Sequence, residues 1–213
     1  MRAARVLVVA AVLATLVAAP LARADGDPAS DWLLTQPTFV PSDDGVPPAY
    51  GAQLRATVAA AKARGYRIRV ALIGTQYDLG SVYSLWRQPN QYALFLGKEL
   101  YFVYAGRLLV VFPNGLATSV GGKAAPASQQ AVVARIAPPG ARPAALASAA
   151  TRAVVRLAAD AGVVIAAPPL SGRTKPVPSS TNRDRVTIAA VALLVVAAIA
   201  VVLLIRRRRR VSA

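Results

Sequence analysis

The order of hydrophobic and polar residues divides the chain into two long apolar runs near its ends and a patterned region between them. Residues 6–19 are apolar except for Thr15, and residues 186–205 contain twenty residues with no charge. Between these runs, apolar residues recur at intervals of two, three and four, which are the spacings of strands and helices. The pattern predicts a folded domain with a different kind of segment on each side.

The patterned region predicts the element order helix, strand, helix, strand, strand, helix, helix. The predicted elements are a helix at 49–64, a strand at 67–73, a loop at 74–80, a helix with Asn90 as its N-cap and Gly106 as its stop, strands at 108–112 and 116–120 joined by a turn, and helices at 128–136 and 144–161. A small sheet packed with helices satisfies this order. We therefore predict an α/β fold with a small mixed β-sheet over residues 49–165.

The segments beside this domain have a different composition. Residues 25–48 are rich in aspartate and proline, and we expect an irregular N-terminal lead-in there. Residues 166–185 carry four prolines and a Ser-Ser-Thr-Asn run, which is typical of a stalk. As a flexible coil these residues would span about 25 Å.

The N-terminus has the features of a secretory signal. Arg2 and Arg5 precede the apolar run, Pro20 follows it, and Ala22-Arg23-Ala24 fits the small-x-small cleavage pattern. This predicts a signal peptide at 1–24, cleaved between Ala24 and Asp25. The alternative is an uncleaved signal anchor.

The second apolar run predicts a transmembrane helix at 186–205, because twenty residues at about 1.5 Å each match a bilayer core of about 30 Å. Its preceding flank, 183–185, has a net charge of only +1, whereas the run is followed at once by Arg206, Arg207, Arg208, Arg209 and Arg210. The positive-inside rule places this basic tail, 206–213, in the cytoplasm and residues 25–185 outside. A basic run can also mark a nucleic-acid site, but its position after a membrane span favours contact with anionic lipid.

Composition narrows the possible chemistry. The chain has no His and no Cys, which excludes Ser-His-Asp and Cys-His triads, zinc fingers and disulfides. Its net charge is +16, but residues 25–185 hold 17 basic and nine acidic residues, a net of +8. Because these basic residues are scattered and extracytoplasmic, we expect attraction to lipid heads or cell-wall polymers and no nucleic-acid partner.

Several local strings, together with the element order, resemble the TPM domain, an extracytoplasmic module often placed between a signal peptide and a C-terminal membrane helix. The strings are the apolar strand at 106–111, the hairpin strand at 116–121 and the Arg-Ile-Ala-Pro turn at 135–138. The resemblance covers about 49–162. It implies weak phosphatase activity, calcium binding or an accessory role beside membrane complexes. The chain departs from the family at Ala105, where an acidic residue is common, and has no carboxylate after Gly121-Gly122, which weighs against the first two.

The acidic residues offer few ligands for a metal. Calcium takes six to eight oxygen ligands, and the weak candidates that could cluster are Asp43, Asp44 and Asp78. Glu99 and Asp160 read as ordinary solvated carboxylates. We predict no cofactor and no catalytic residues.

Aromatic residues are concentrated between the first strand and the second helix. Core packing explains most of Tyr77, Tyr83, Trp86 and Tyr92, but any that are exposed would form, with Arg87, a natural contact surface. The first functional hypothesis is therefore a non-enzymatic, single-pass plasma-membrane module that binds the bilayer and a membrane or cell-envelope protein. The alternative is a weak extracytoplasmic phosphohydrolase of TPM type.

Overall fold

A computed structural model describes residues 26–41 and 45–170. Its helices are α1 (Pro28–Thr35), α2 (Pro48–Ala63), α3 (Pro89–Glu99), α4 (Ala127–Ala134) and α5 (Pro143–Asp160), and a 3-10 segment covers Gln76–Leu85. Its strands are β1 (Thr38–Phe39), β2 (Ile68–Leu72), β3 (Arg107–Phe112), β4 (Gly115–Val120) and β5 (Lys123–Ala124). The mixed α/β fold predicted from the sequence is confirmed for these residues.

The five strands form one sheet in the order β1-β2-β3-β4-β5. The pairs β1–β2 and β2–β3 are parallel, and Ile68 lies opposite Arg107. The pairs β3–β4 and β4–β5 are antiparallel hairpins. Because β2 and β3 run in the same direction, their first residues meet at one edge of the sheet and their last residues at the other.

Helices cover both faces of the sheet. On one face, α2 and α5 pack on the side chains of β2 and β3 that include Val70, Leu72 and Leu109. On the other face, α1, α3 and the 3-10 segment pack on Ala71, Val110 and their neighbours. A central strand with both faces covered is apolar throughout, which explains the unbroken run from Leu108 to Phe112.

The lead-in differs from the irregular segment that its composition predicted. It contains helix α1, which begins at a proline and is capped by the side chain of Asp27, and the edge strand β1. The composition missed both elements because their stability comes from packing: Ala29, Leu33 and Phe39 enter the core beside β2. Tertiary contacts therefore order a segment whose own periodicity is weak.

Two connections around α3 also differ from the sequence prediction. Of the predicted loop at 74–80, residues 76–80 belong to the 3-10 segment, in which Gly80 makes a kink with a φ of +51°. Helix α3 starts at Pro89 rather than after Asn90, and it ends at Glu99 instead of continuing to Gly106. The apolar residues Tyr101 to Val103, read as helix, form an exposed turn. Their apolar side chains therefore do not contribute to the core.

None of the helices within the described ranges has the length and hydropathy needed to cross a membrane. The predicted span at 186–205, the signal peptide with Ala24 and Asp25, and the five arginines at 206–210 all lie outside those ranges.

Candidate functional site

The carboxyl ends of β2 and β3 are the usual position of a ligand site in an open α/β sheet. Here the 3-10 segment follows β2, and Asp78 lies in its first turn. One oxygen of Asp78, Oδ2, accepts hydrogen bonds from the backbone N–H groups of Gly74 and Thr75, both at 2.8 Å. The carboxylate of Asp78 therefore stabilises the loop at Gly74 and Thr75, which is a structural role.

The metal candidates are not brought together within the described part of the chain. There, no three His, Cys, Asp or Glu side chains lie close enough to hold a metal ion. Asp43 and Asp44 lie in the gap at 42–44, outside the described residues. Asp78 is thus the one weak candidate that can be placed, and its carboxylate already has two backbone donors.

The aromatic residues of this region divide into exposed and buried members. Tyr77 is 91% exposed and Tyr83 is 60% exposed, and Arg87 is also exposed. Trp86 is half-buried, with its ring centroid 5.8 Å from that of Phe112. Tyr92 is fully buried. Core packing therefore accounts for Trp86 and Tyr92, whereas Tyr77, Tyr83 and Arg87 are available for contact.

Arg87 has an unusual backbone. Its φ of +60° lies in the left-handed region, which is uncommon for a residue with a side chain. The side-chain amide of Asn114 donates a hydrogen bond of 2.7 Å to the Arg87 carbonyl and so ties this turn to the β3–β4 hairpin. The exposed end of the 3-10 segment is fixed to the sheet.

A buried acid that the sequence did not single out lies nearby. Asp27 is only 4% exposed, and its Oδ1 and Oδ2 lie 2.8 and 2.9 Å from the hydroxyl of Tyr92. Oδ1 also accepts a hydrogen bond of 3.1 Å from the backbone N–H of Ala29. Burial raises the pKa of Asp27 to about 6, against the lowering effect of these hydrogen bonds. Burial, and then the charge of Asp27, raise the pKa of Tyr92 well above its usual value.

A different set of residues gathers at the opposite edge, where β2 and β3 begin. We call it the basic edge, and it consists of Tyr66, Arg67, Arg69, Tyr104 and Arg107. The Arg69 guanidinium carbon lies 4.2 Å from the centre of the Tyr104 ring, and that of Arg107 lies 4.6 Å from the centre of the Tyr66 ring. Each stacked pair is worth about 0.5–2 kcal/mol, depending on its desolvation. The arginines are thereby held in place without a carboxylate.

The basic edge opens into a cavity of about 370 Å³. Its lining residues are Gly65, Arg67, Val103, Tyr104, Ala105, Gly106 and Arg107. The Tyr104 hydroxyl lies 3.1 Å from the Arg67 carbonyl and 3.0 Å from the Arg107 carbonyl, so it can donate to either. The Tyr104 hydroxyl therefore links the starts of the two strands.

Donors at the basic edge are left without acceptors. Nη1 of Arg69 and Nε of Arg107 are buried and have no hydrogen-bond partner, and none of the three arginines forms an ion pair among the described residues. Burial, and to a lesser degree the charge of Arg67, lower the pKa of Arg69. An unpaired buried donor costs about 1–3 kcal/mol. Arg67 is exposed and Arg69 and Arg107 are half-buried, so the exposed parts of their guanidinium groups suit an anion with several oxygen acceptors.

The sequence pattern did not indicate a site at these arginines. Arg67 and Arg69 lie in the predicted strand at 67–73, and Arg107 lies in the apolar string at 106–111 that resembles a TPM strand. The signal that could have revealed the site was an arginine at the start of each of two strands, with a tyrosine close before each. Only the parallel register of β2 and β3 brings the two starts together.

Comparison of the chain with family models, curated proteins and solved structures gives no match.

Proposed function

We propose that this protein is a membrane-anchored extracytoplasmic interaction module that acts by binding rather than by catalysis. The proposal combines the export signal and membrane span predicted from the sequence with the surface that Tyr77, Tyr83 and Arg87 present. The resemblance to the TPM domain also supports it, because an accessory role beside membrane complexes fits such a surface.

The observation that carries the proposal is the exposure of Tyr77 and Tyr83 on a segment that is otherwise fixed. Tyrosine and arginine are enriched in protein interfaces, and tyrosine offers a large contact area at low entropic cost. Here the capping by Asp78 and the bond from Asn114 to Arg87 hold that segment in place before any partner arrives. A preformed aromatic and basic surface suits a membrane or cell-envelope protein as partner.

Site-specific crosslinking in native membranes tests this proposal. A photo-crosslinking amino acid at position 77 should capture a defined partner, and the same group at exposed Arg152 on α5 should not. Arg87→Gly accepts the positive φ without strain while it removes the charge, and should reduce the capture. Identical capture from positions 77 and 152, or capture unaffected by Arg87→Gly, would contradict the proposal.

The proposed topology has its own test. A reporter fused after Ala213 should lie in the cytoplasm, and protease added to intact spheroplasts should digest the region 25–185. A reporter at the cell exterior would overturn the single-pass arrangement.

The alternative, a phosphohydrolase, would need acids gathered near Asp78, and the described residues offer no such group. An assay of the full chain against phosphoesters with Ca²⁺ and Mg²⁺ separates the two functions. Turnover that is abolished by Asp78→Asn would favour the enzyme.

A further inference from the structure

We infer that the basic edge and the turn beside it form a docking surface for anionic phospholipid, separate from the surface of Tyr77 and Tyr83. This goes beyond the proposed function, because it assigns a lipid ligand and a second contact surface to the domain. The occupant is the headgroup layer of a bilayer that contains a lipid such as phosphatidylglycerol.

The first support is charge without compensation. Arg69 stacks on the Tyr104 ring and Arg107 on the Tyr66 ring. Arg67 and Arg107 line the same cavity as Tyr104, so the three cations lie in one cluster. No carboxylate in the described ranges pairs with them, and the acid whose charge is felt in this cluster is Asp160, which acts on Tyr66. Arg67 is exposed and Arg69 and Arg107 are half-buried, so phosphate oxygens would approach the exposed side of each guanidinium in the geometry that arginine favours.

The second support is an apolar turn directly beside these cations. Phe102 is 95% exposed, Tyr101 and Val103 are more than half exposed, and Val103 also lines the cavity of the basic edge. The rings of Tyr101 and Phe102 contact each other edge to face with centroids 5.9 Å apart. Exposed aromatic and aliphatic side chains next to basic residues are the composition of segments that enter the interfacial layer of a membrane.

Neither feature alone selects a lipid surface. A free phosphate would use the arginines but gives no reason for the exposed Phe102, whereas an apolar partner would use Phe102 but leaves the guanidinium donors unpaired. A phospholipid surface provides phosphate and glycerol oxygens for the arginines and an apolar layer for the turn at the same time. The observations together favour the bilayer over either single ligand.

The absence of cysteine from the whole sequence allows a sharp test. Full-length Phe102→Cys, labelled with the environment-sensitive fluorophore NBD, is reconstituted into nanodiscs of phosphatidylcholine with increasing phosphatidylglycerol. We expect a blue shift and a rise in emission that depend on the phosphatidylglycerol fraction. The matched control is Tyr77→Cys carrying the same label, whose emission should not respond to the lipid.

The arginines are tested in the Phe102→Cys background. Each basic residue near an anionic surface contributes about a fivefold change in binding, so Arg67→Gln, Arg69→Gln and Arg107→Gln together should weaken the response by about a hundredfold. Arg→Lys at the same three positions keeps the charge and should restore much of it, and circular dichroism checks that each variant is folded. Soluble glycerol phosphate at millimolar concentration should compete weakly, because it offers no apolar layer.

Two results would overturn the inference. An equal blue shift in pure phosphatidylcholine would mean that the turn enters lipid without headgroup recognition, and no shift at any lipid composition would mean that the turn does not dock. Neither result bears on capture from position 77, so failure here and failure of the proposed function are distinguishable.

Discussion

The two edges of the parallel strands differ in how their charged groups are paired. At the carboxyl ends, Asp78 is bound by two backbone N–H groups and Asp27 by Tyr92, so both carboxylates have partners inside the protein, and the unpaired acceptor there is the uncharged Oδ1 of Asn114. At the amino ends, Arg69 and Arg107 keep buried N–H groups that nothing in the described residues accepts.

This difference separates polar groups that build the fold from polar groups that are available to a ligand. Internal partners stabilise a native structure, and removing one partner leaves the other unsatisfied at a cost. A group without an internal partner can be removed at little cost to stability, while its loss is felt in binding. Ligands of α/β sheets usually bind at the carboxyl ends, but here the arginines without an internal acceptor lie at the other edge.

The largest effect should come from Gly80, which holds the carboxyl-end region together. A Cβ there would overlap the carbonyl oxygen of Gly26, and the φ of +51° adds strain for any other residue. We expect Gly80→Ala to lower the free energy of unfolding by about 3–4 kcal/mol in denaturant titrations. Gly140→Ala has a positive φ of +72° but no atom within 4 Å of its Cβ, and should cost only about 1 kcal/mol. Equal losses would mean that the contact with Gly26 is unimportant.

Asp27 gives the carboxyl-end region a dependence on pH. The folded state keeps its proton up to a pKa of about 6, whereas the unfolded state releases it near 3.8, so stability falls as the pH rises between these values. We expect Asp27→Asn to be more stable than the wild type at pH 7.5 by about 2–3 kcal/mol and equal to it near pH 4. Thermal unfolding across pH 4–8 measures this, with the exposed carboxylate of Glu99, changed to Gln, as the control, because Asp31 itself contributes to the raised pKa of Asp27. A wild-type stability that rises from pH 4 to pH 7 relative to Asp27→Asn would contradict the assignment.

Asp78 tests whether the carboxyl end is structural. Asp78→Ala removes two charge-assisted hydrogen bonds to the backbone and should cost about 2 kcal/mol of unfolding free energy. The lipid response of the NBD label at position 102 should not change, because Asp78 belongs to the other edge. A loss of that response in a folded Asp78→Ala protein would break the distinction between the two edges.

Arg69 should show the smallest effect on stability. Arg69→Met keeps a long flexible side chain over Tyr104 but removes a partly desolvated charge that has no carboxylate, so the unfolding free energy should change by less than about 1 kcal/mol. The same variant should weaken the lipid response about fivefold. A loss of several kcal/mol would show that the arginine is part of the structural core instead.

Much of the fold could be predicted from local pattern. The strand at 68–72, the turn at 113–114 and the helix at 143–160 lie within one or two residues of the sequence prediction, because each has a clear period or a proline or glycine at its boundary. The lead-in was harder to predict because α1 is short and takes its stability from contacts with the sheet. The end of α3 was missed because Tyr101 and Val103 continue a helical period although their side chains face solvent.

By itself, the sequence determined which segments are apolar throughout, which are periodic, and which chemistries are excluded by the lack of His and Cys, since these are properties of composition and spacing. Only the tertiary structure decided which polar groups are satisfied. The register that places Ile68 opposite Arg107 brings together tyrosines and arginines about forty residues apart, and no local period encodes that pairing. The buried bond between Asp27 and Tyr92, 65 residues apart, is likewise a product of packing. The availability of a side chain for binding depends on its neighbours in space, and the chain order does not reveal them.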